Sequence, residues 1–319
     1  MDFLNYTFPV SGVNTSLLLP PLTALVVSFF TSMGGVSGAF LLLPFQMSYL
    51  GYTTPSVSAT NFVFNIIAIP GGVLRFIKEG RMAWPLTWVI ILGTLPGVFL
   101  GYFFRVTYLP DPKPFKFFVG LVLLYIGARL LYEITPKAKG AKKEQKTMEE
   151  EFHKRMRELR GKKLEGSELN QAKVKVIKVG LNSITYSFWG EEFSFSTIGM
   201  FLLSFIVGII GGTYGIGGGA IIAPFCVAVF KLPVYTVAGA ALAGTFIASV
   251  VGVIFYSIIQ SSQHTQPDWL LGGLFGIGGL LGIYMGARFQ KYVPQNLIKL
   301  FLGLVIICTS LSYIYQFLR

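Results

Sequence analysis

One glycine-rich stretch occurs twice in this chain, each time inside a hydrophobic segment. The first copy spans residues 33–45 and the second spans residues 213–225. Duplicated apolar segments that are interrupted by glycine and proline at matching places indicate the substrate site of a transporter built from repeats. The sequence therefore predicts a membrane transporter rather than an enzyme. The residues that superimpose are Gly35 on Gly215, Gly38 on Gly218, Pro44 on Pro224 and Phe45 on Phe225.

The composition and the distribution of charge divide the chain into three parts. Hydrophobic residues make up 53% of the sequence and charged residues only 13%, against about 25% charged residues in soluble domains. Most acidic residues lie in one central segment that separates two long apolar blocks. We expect a first transmembrane repeat at 1–133, a charged cytoplasmic linker with a small β-unit at 134–192, and a second transmembrane repeat at 193–319.

Each apolar block is long enough for several membrane-spanning helices. A crossing takes about 20 apolar residues, so each half is predicted to contain about four full spans and one short segment broken by glycine and proline. The short segments are 37–50 and 218–230. We therefore predict an all-α polytopic membrane protein of two homologous halves. Further matched positions are Thr60 with Thr245, Trp84 with Trp269, Gly93 with Gly278, Gly97 with Gly282, and Gly101 with Gly286.

The short segments leave two topologies open. If each short segment crosses the membrane, each half has five crossings and the halves are inverted; if each returns on one side, the halves are parallel. Lysine and arginine favour cytoplasmic loops. Inversion places on the cytoplasmic side most of the basic residues that are not part of the linker. Inverted repeats with both ends of the chain outside are therefore favoured over parallel ones. The basic residues concerned are Arg75, Lys78, Arg81, Lys231, Arg288, Lys291 and Lys299.

The central segment changes character along its length. Residues 137–163 are strongly charged and are expected to form a helix or a disordered linker. Between Val174 and Phe195, apolar residues alternate with polar ones, which predicts two or three short strands. We interpret these strands as a small cytoplasmic β-unit that packs under the membrane domain. A ligand-sensing unit is the alternative.

Broken helices at membrane depth can hold an anion without a charged side chain. Irregular backbone survives there only where it is buried or lines a polar cavity, and a restarting helix presents free N–H groups and its positive dipole end. Polar side chains on the spans that follow the motifs would complete the site, although such groups also hold helices together. The candidate substrate-binding residues are Ser37, Gly38, Thr60, Asn61, Asn65, Gly217, Gly218, Gly219, Thr245 and Ser249.

The residue types that are missing from the predicted spans also restrict the function. No Asp, Glu or His lies inside a predicted span, which disfavours a metal-cation site and a proton relay through a carboxylate. No nucleophile–base arrangement, zinc spacing or nucleotide-binding loop occurs, so we expect no catalytic residue, no metal and no cofactor. The net charge of +12 lies beside membrane spans and indicates contact with membrane lipid rather than nucleic acid.

Two further groups of residues have a structural interpretation. Four glycines at matched positions fit close packing of helices in a membrane; they are Gly97, Gly101, Gly282 and Gly286. Three arginines near span ends fit a role as topology anchors, with attraction of anions to a vestibule as the alternative; they are Arg75, Arg105 and Arg288.

The second glycine motif and the span that follows it resemble the signature of the sulfite exporter TauE/SafE family. The resemblance rests on Gly215-x-Gly217-Gly218-Gly219, Pro224 and Ala243-Gly244-Thr245. The plan of two halves around a charged central segment is similar as well, so the resemblance covers about residues 16–319. The first half departs from the motif, since Ser37 and Ala39 stand where the second copy has Gly217 and Gly219.

The resemblance implies a multi-pass protein of the cell (inner) membrane that exports or imports small sulfur-containing anions, such as sulfite or organosulfonates. We expect a secondary transporter that works by alternating access of one half against the other. The alternatives are a channel-like anion pore and a membrane sensor or enzyme that works through the central β-unit. Assembly as a homodimer is left open.

Overall fold

The computed structural model describes residues 5–136, 174–188, 191–259, 261 and 263–319. The charged stretch 137–163, for which a helix or a disordered linker is predicted, lies outside these residues. Helices dominate the described part. In the first half they are α1 (Leu19–Gly34), α2 (Ala39–Ser48), α3 (Ser56–Ala68), α4 (Pro70–Lys78), α5 (Trp84–Phe103) and α6 (Pro112–Glu133). In the second half they are α7 (Thr197–Tyr214), α8 (Gly219–Ala228), α9 (Val234–Ile258), α10 (Trp269–Phe289) and α11 (Gln295–Leu318).

Seven helical stretches in the described part are long and apolar enough to cross a membrane. Helices α3 and α4 together form the first of these stretches, and α5, α6, α7, α9, α10 and α11 supply the others. Helix α1 was predicted as an eighth span but has only 16 residues, because it ends where Gly35 turns into the left-handed conformation. The short helices α2 and α8 have 10 residues each. They are the predicted segments broken by glycine and proline.

Local sequence signals account for where many helices begin. Proline occupies the first turn of α1, α4, α5 and α6, where its fixed φ suits a helix and its missing N–H costs no hydrogen bond. Ser196 caps α7 by accepting a hydrogen bond of 3.1 Å from the Gly199 N–H. Asp268 caps α10 in the same way, with 3.1 Å to the Leu271 N–H. These side chains satisfy N–H groups that a helix start leaves without a partner.

Helices of one half pack along helices of the other half. Helix α1 packs along α10, α5 packs along α7, and α6 packs along α11. Glycine makes the closest of these contacts possible: a Cβ added at Gly97 would lie 2.8 Å from the Gly208 Cα, and one added at Gly282 would overlap the Leu25 carbonyl. Gly101 and Gly286 are equally crowded by backbone atoms of the facing helix. The interpretation of these glycines as packing residues is therefore confirmed.

Contacts between residues give the relative direction of the matched helices. In α6 and α11, Glu133 meets Lys299 at one end (2.6 Å) and Lys116 meets Gln316 at the other (3.4 Å), so the two helices run antiparallel. In α3 and α9, Asn65 contacts Ser249 while the earlier Phe62 contacts the later Tyr256, so these helices also run antiparallel. In these two pairs, the helices that correspond to each other in the two halves thus point in opposite directions.

Three antiparallel strands precede α7. They are β3 (Lys175–Val179), β4 (Ser183–Phe188) and β5 (Glu191–Ser196), paired in that order. Alternate residues of β4 are buried, and the Tyr186 hydroxyl lies 2.8 Å from the Thr236 hydroxyl in the first turn of α9. The prediction of a small β-unit against the membrane domain is confirmed. The sequence analysis missed a second hairpin, formed by β1 (Asn5–Thr7) and β2 (Asn14–Ser16).

Candidate functional site

The second glycine motif breaks the chain between α7 and α8. Helix α7 ends at Tyr214, and α8 starts only after Gly217 and Gly218, which have φ values of 71° and 82°. Side chains with a Cβ rarely adopt such angles. Space is short as well, because a Cβ at Gly217 would lie 2.8 Å from the Thr245 carbonyl oxygen. Glycine is therefore required here for its conformation and for its size.

The first glycine motif also separates two helices, α1 and α2, but it places fewer demands on the backbone conformation of its glycines. Helix α1 ends at Gly34 and α2 starts at Ala39, but Gly38 has an ordinary helical φ of −57°. A Cβ at Gly38 would lie 2.7 Å from the Ser28 hydroxyl oxygen. Glycine is needed at this position for space alone. This difference agrees with the departure of the first copy from the glycine pattern of the second.

Asn61 on α3 links the two broken segments. Its side-chain Nδ2 donates to the Ala39 carbonyl (3.2 Å) in the first segment and to the Gly215 carbonyl (3.1 Å) in the second. The Tyr214 hydroxyl adds a third link by donating to the Phe40 carbonyl at 2.8 Å. The Asn61 side chain is completely buried. One amide therefore holds together two motifs that are more than 150 residues apart in sequence.

A second polar contact lies one helical turn further along α3. The Asn65 Nδ2 donates to the Ser249 hydroxyl on α9 at 3.2 Å. On the same face of α9, the Thr245 hydroxyl accepts a hydrogen bond of 2.9 Å from the Gly219 N–H and donates one to the Ala241 carbonyl. Gly217 closes the group, since a Cβ there would lie 2.9 Å from the Ser249 hydroxyl oxygen. We call Asn61, Asn65, Gly217, Gly219, Thr245 and Ser249 the central cluster.

The central cluster contains acceptors that have no partner. The Oδ1 atoms of Asn61 and Asn65 are buried and make no hydrogen bond within the described residues. Buried polar atoms in folded proteins nearly always have a partner, in the protein or in bound water or ligand. The two amides lie one helical turn apart on the same face of α3, so their unpaired oxygens lie in the same region of the structure. This region is polar but carries no charged side chain among its members.

The structure separates some of the predicted site residues from the central cluster. The Thr60 hydroxyl accepts from the Asp268 N–H at 2.9 Å and contacts the Tyr52 hydroxyl at 2.9 Å, so it belongs to a network at the start of α3. Burial raises the pKa of the Tyr52 phenol, which keeps this hydroxyl neutral. Gly218 faces Val207 of α7, since a Cβ there would lie 3.1 Å from the Val207 Cγ1.

The starts of α2 and α8 also differ from the expectation of free N–H groups. The Ala39 N–H donates to the Ser37 hydroxyl at 3.3 Å, and the Gly219 N–H donates to Thr245. Hydroxyl groups thus take one N–H at each helix start, as capping side chains do at helix ends. The sequence analysis also missed Tyr214, which is fully buried between the broken segments. Its position next to Gly215 was the signal that could have identified it.

Comparisons with known proteins agree with this architecture. The sequence profile of a family described as "Sulfite exporter TauE/SafE" matches residues 21–313. The chain is similar to the "Probable membrane transporter protein YunE" of Bacillus subtilis (strain 168), with 21% identity over 311 residues that cover 94% of this chain and 98% of that protein. A "Probable membrane transporter protein" of Xylella fastidiosa (strain 9a5c) is 27% identical over 36% of this chain and 42% of its own length. No solved structure matches the chain.

Proposed function

Because the chain belongs to the sulfite exporter TauE/SafE family, and is therefore a multi-pass membrane transporter and not an enzyme, we propose that it carries small sulfur-containing oxyanions. Sulfite is the substrate that the family description names, and we propose organosulfonates beside it as anions of similar chemistry. The proposed mechanism is secondary transport by alternating access in the cell membrane, with the substrate bound at the central cluster.

The observation that carries this proposal is the pair of contacts that Asn61 makes to both broken segments. In transporters built from repeats, broken helices near the middle of the membrane surround the substrate. Here both breaks meet at one buried amide, and Asn65 meets Ser249 one turn away. These hydrogen bonds join the first half to the second. A substrate bound among these hydrogen bonds would contact residues of both halves at the same time.

The chemistry of the central cluster suits a polyoxygen anion. The Asn65 amide and the Ser249 hydroxyl can donate to sulfonate or sulfite oxygens, and the starts of α2 and α8 bring the positive ends of two helix dipoles. The free Oδ1 atoms of Asn61 and Asn65 can accept a hydrogen bond from a hydroxyl on a protonated oxyanion. A cation site has less support, since the described residues hold no group of three or more His, Cys, Asp or Glu side chains suited to a metal ion.

We also propose that the two halves are inverted repeats. The antiparallel course of α3 and α9, and of α6 and α11, supports an axis in the plane of the membrane rather than along its normal. The charge distribution supports the same arrangement, because Lys299 pairs with Glu133 at the end of α6 that leads into the charged linker. The parallel arrangement has the weaker support.

Transport by the purified full-length protein in liposomes tests the function. We expect saturable uptake of radiolabelled sulfite that unlabelled organosulfonates compete for, and loss of this uptake in Asn65→Ala. A channel would instead give conductance far above a transporter's turnover. A sensor would lose its function on deletion of residues 140–190, whereas a transporter keeps uptake. Absence of binding and uptake for every sulfur anion tested would contradict the proposal. Homodimer formation stays a prediction, testable by the mass of the protein in nanodiscs.

A further inference from the structure

Arg105 is completely buried, although its place near a span end suggested a topology anchor. It lies in a π-helical turn (Phe104–Tyr108) that continues α5, and 0% of its surface is exposed. An anchoring arginine extends its charged group towards water or lipid headgroups, so the anchor interpretation is wrong for this residue. π-Helical turns occur frequently at functional sites. The position of Arg105 in this turn and its complete burial together indicate a role other than anchoring.

The partners of Arg105 are all neutral. Its guanidinium donates to the Leu109 carbonyl and to the Thr53 carbonyl (3.3 Å), and it lies 3.7 Å from the centre of the Phe115 ring. Among the described residues, no carboxylate lies within 4.0 Å of it. Its Nε–H has no hydrogen-bond partner among the residues that the structure describes. A buried cation without a counter-charge is costly, and the described part of the chain supplies no negative group to Arg105.

A second polar group without a partner in the described structure is adjacent in sequence to one of the residues that Arg105 contacts. Thr54 follows the residue whose carbonyl accepts from Arg105, and its hydroxyl is buried without a hydrogen-bond partner in the described structure. Tyr256 lies close enough to Arg105 to interact electrostatically. Along α9, Tyr256 comes two turns after Ser249, which corresponds to roughly 10 Å. Arg105 therefore lies near the central cluster but outside it, at the end remote from the β-unit.

The repeat shows that helix packing at this position does not require a charge. The alignment that matches Gly101 with Gly286 also matches Arg105 with Gln290 in the second half. Gln290 makes a neutral contact, with its Nε2 donating to the Met33 carbonyl at 3.5 Å. The corresponding position in the second half is thus occupied by an amide. At this aligned position, the sequence has a charged residue in the first half and a neutral one in the second.

We propose that Arg105 is an anion-binding residue at a site separate from the central cluster. The Nε–H of Arg105 and the hydroxyl of Thr54 donate to an oxyanion there, and the guanidinium supplies the counter-charge. A guanidinium suits this ligand because its planar array of donors matches the oxygens of a sulfur oxyanion. The site holds the anion about two turns of α9 away from the central cluster. The identity of the anion rests on the proposed function, whereas the site itself rests on the buried charge.

Anion binding to the full-length protein in nanodiscs tests this site, with sulfite (kept anaerobic), isethionate and sulfate as probes. The key variant is Arg105→Gln, which gives the first half the residue that the second half has at this position. Loss of a charge-assisted hydrogen bond in a buried site predicts affinity weaker by about tenfold or more. Arg288→Gln removes an exposed arginine of equal charge and serves as the matched control, with native affinity expected.

Each outcome decides a different proposal. Native affinity and native transport in monodisperse Arg105→Gln overturn the anion site and leave the proposed function intact. Binding that depends on Arg105 but excludes every sulfur anion, for instance binding of nitrate alone, keeps the site and overturns the proposed substrate. If Arg105→Gln does not fold, Arg105→Lys and Thr54→Val replace it. Each is expected to weaken binding severalfold, and native affinity in both overturns the site.

Discussion

Asn65 of α3 and Ser249 of α9 are joined by a hydrogen bond of 3.2 Å, and both side chains are completely buried. The two residues occupy the spans that follow the two glycine motifs. Replacing Asn65 by Ala would remove a donor from a dry polar site, so we expect substrate binding to weaken by about 1–3 kcal/mol. Calorimetric binding to the folded variant measures this loss.

The partner variant Ser249→Ala and the double variant complete a cycle. If the two residues bind the substrate as a unit, the double variant should lose much less than the sum of the single losses. Additive losses would mean that the amide and the hydroxyl act separately.

The second prediction concerns the left-handed backbone of Gly217. Gly217→Ala places a Cβ against the Thr245 carbonyl in a conformation that alanine rarely adopts. We expect substrate binding to be lost in protein that still elutes as a monodisperse species. Gly273→Ala is the matched control, because an added Cβ there meets nothing within 4 Å.

Gly282→Ala supplies the contrasting case. Its Cβ would overlap the Leu25 carbonyl in the contact between α1 and α10, so this variant should lower the melting temperature more than it lowers affinity in the fraction that folds. Native substrate binding by folded Gly217→Ala would show that the glycine motif serves helix packing and not substrate binding.

The third prediction concerns topology. In a Cys308→Ser background, a cysteine at the exposed position Gln266 should react with an impermeant maleimide from outside the cell. A cysteine at the exposed position Lys231 should react only after permeabilisation. The parallel arrangement makes the opposite prediction for Lys231, so labelling of that position in intact cells would rule out inverted repeats.

The fourth prediction separates stability from proton coupling. Asp268 accepts hydrogen bonds from the Ser11 hydroxyl (2.8 Å) and from the Leu271 N–H, so it is a structural cap. Asp268→Asn keeps a cap for α10 but removes the acceptor that Ser11 uses, so it should cost about 1 kcal/mol of stability and leave the ratio of protons to substrate unchanged. Measurement of proton flux with sulfite flux in liposomes tests this. A changed ratio would make Asp268 part of the transport mechanism.

The fifth prediction concerns pH. Burial would raise the pKa of the Glu79 carboxyl, but hydrogen bonds and charge from Arg75 and Arg81 hold it below its usual range. The stability that this group contributes is present above its unfolded pKa of about 4.3, and is lost as the pH falls through the lower folded pKa. Glu79→Gln should therefore melt earlier than the unmodified protein at pH 7, and this difference should shrink as the pH falls below the unfolded pKa. A constant difference over this range would contradict the assignment.

The sequence predicted the features that depend on local chemistry and on the repeat. Both helix breaks, the β-unit and the packing glycines follow from glycine, proline and alternation patterns that act over a few residues. Asn61 and Asn65 are four residues apart in the sequence, as are Thr245 and Ser249, so each pair lies on one face of its helix. The repeat does not predict which groups the matched threonines bind. The Thr60 hydroxyl accepts from the Asp268 N–H and the Thr245 hydroxyl from the Gly219 N–H, because segments distant in sequence supply these partners.

Burial of Arg105 could not be predicted for a related reason. A lone arginine near the end of an apolar stretch normally extends towards the membrane surface. Here the π-helical turn and the Thr53–Thr54 segment enclose it, and neither can be read from the local pattern.

The glycine-lined contacts between α1 and α10 and between α5 and α7 have a mechanical consequence. Backbones that touch this closely cannot slide without collision, so each pair moves as one body. Helix α3 packs on α10, and α9 packs on α5, which adds one more helix to each body. Under the proposed alternating access, the domains that move against each other are therefore composites, each drawn from both halves of the sequence. The boundary between these two domains then lies between α3 and α9 rather than between the two halves.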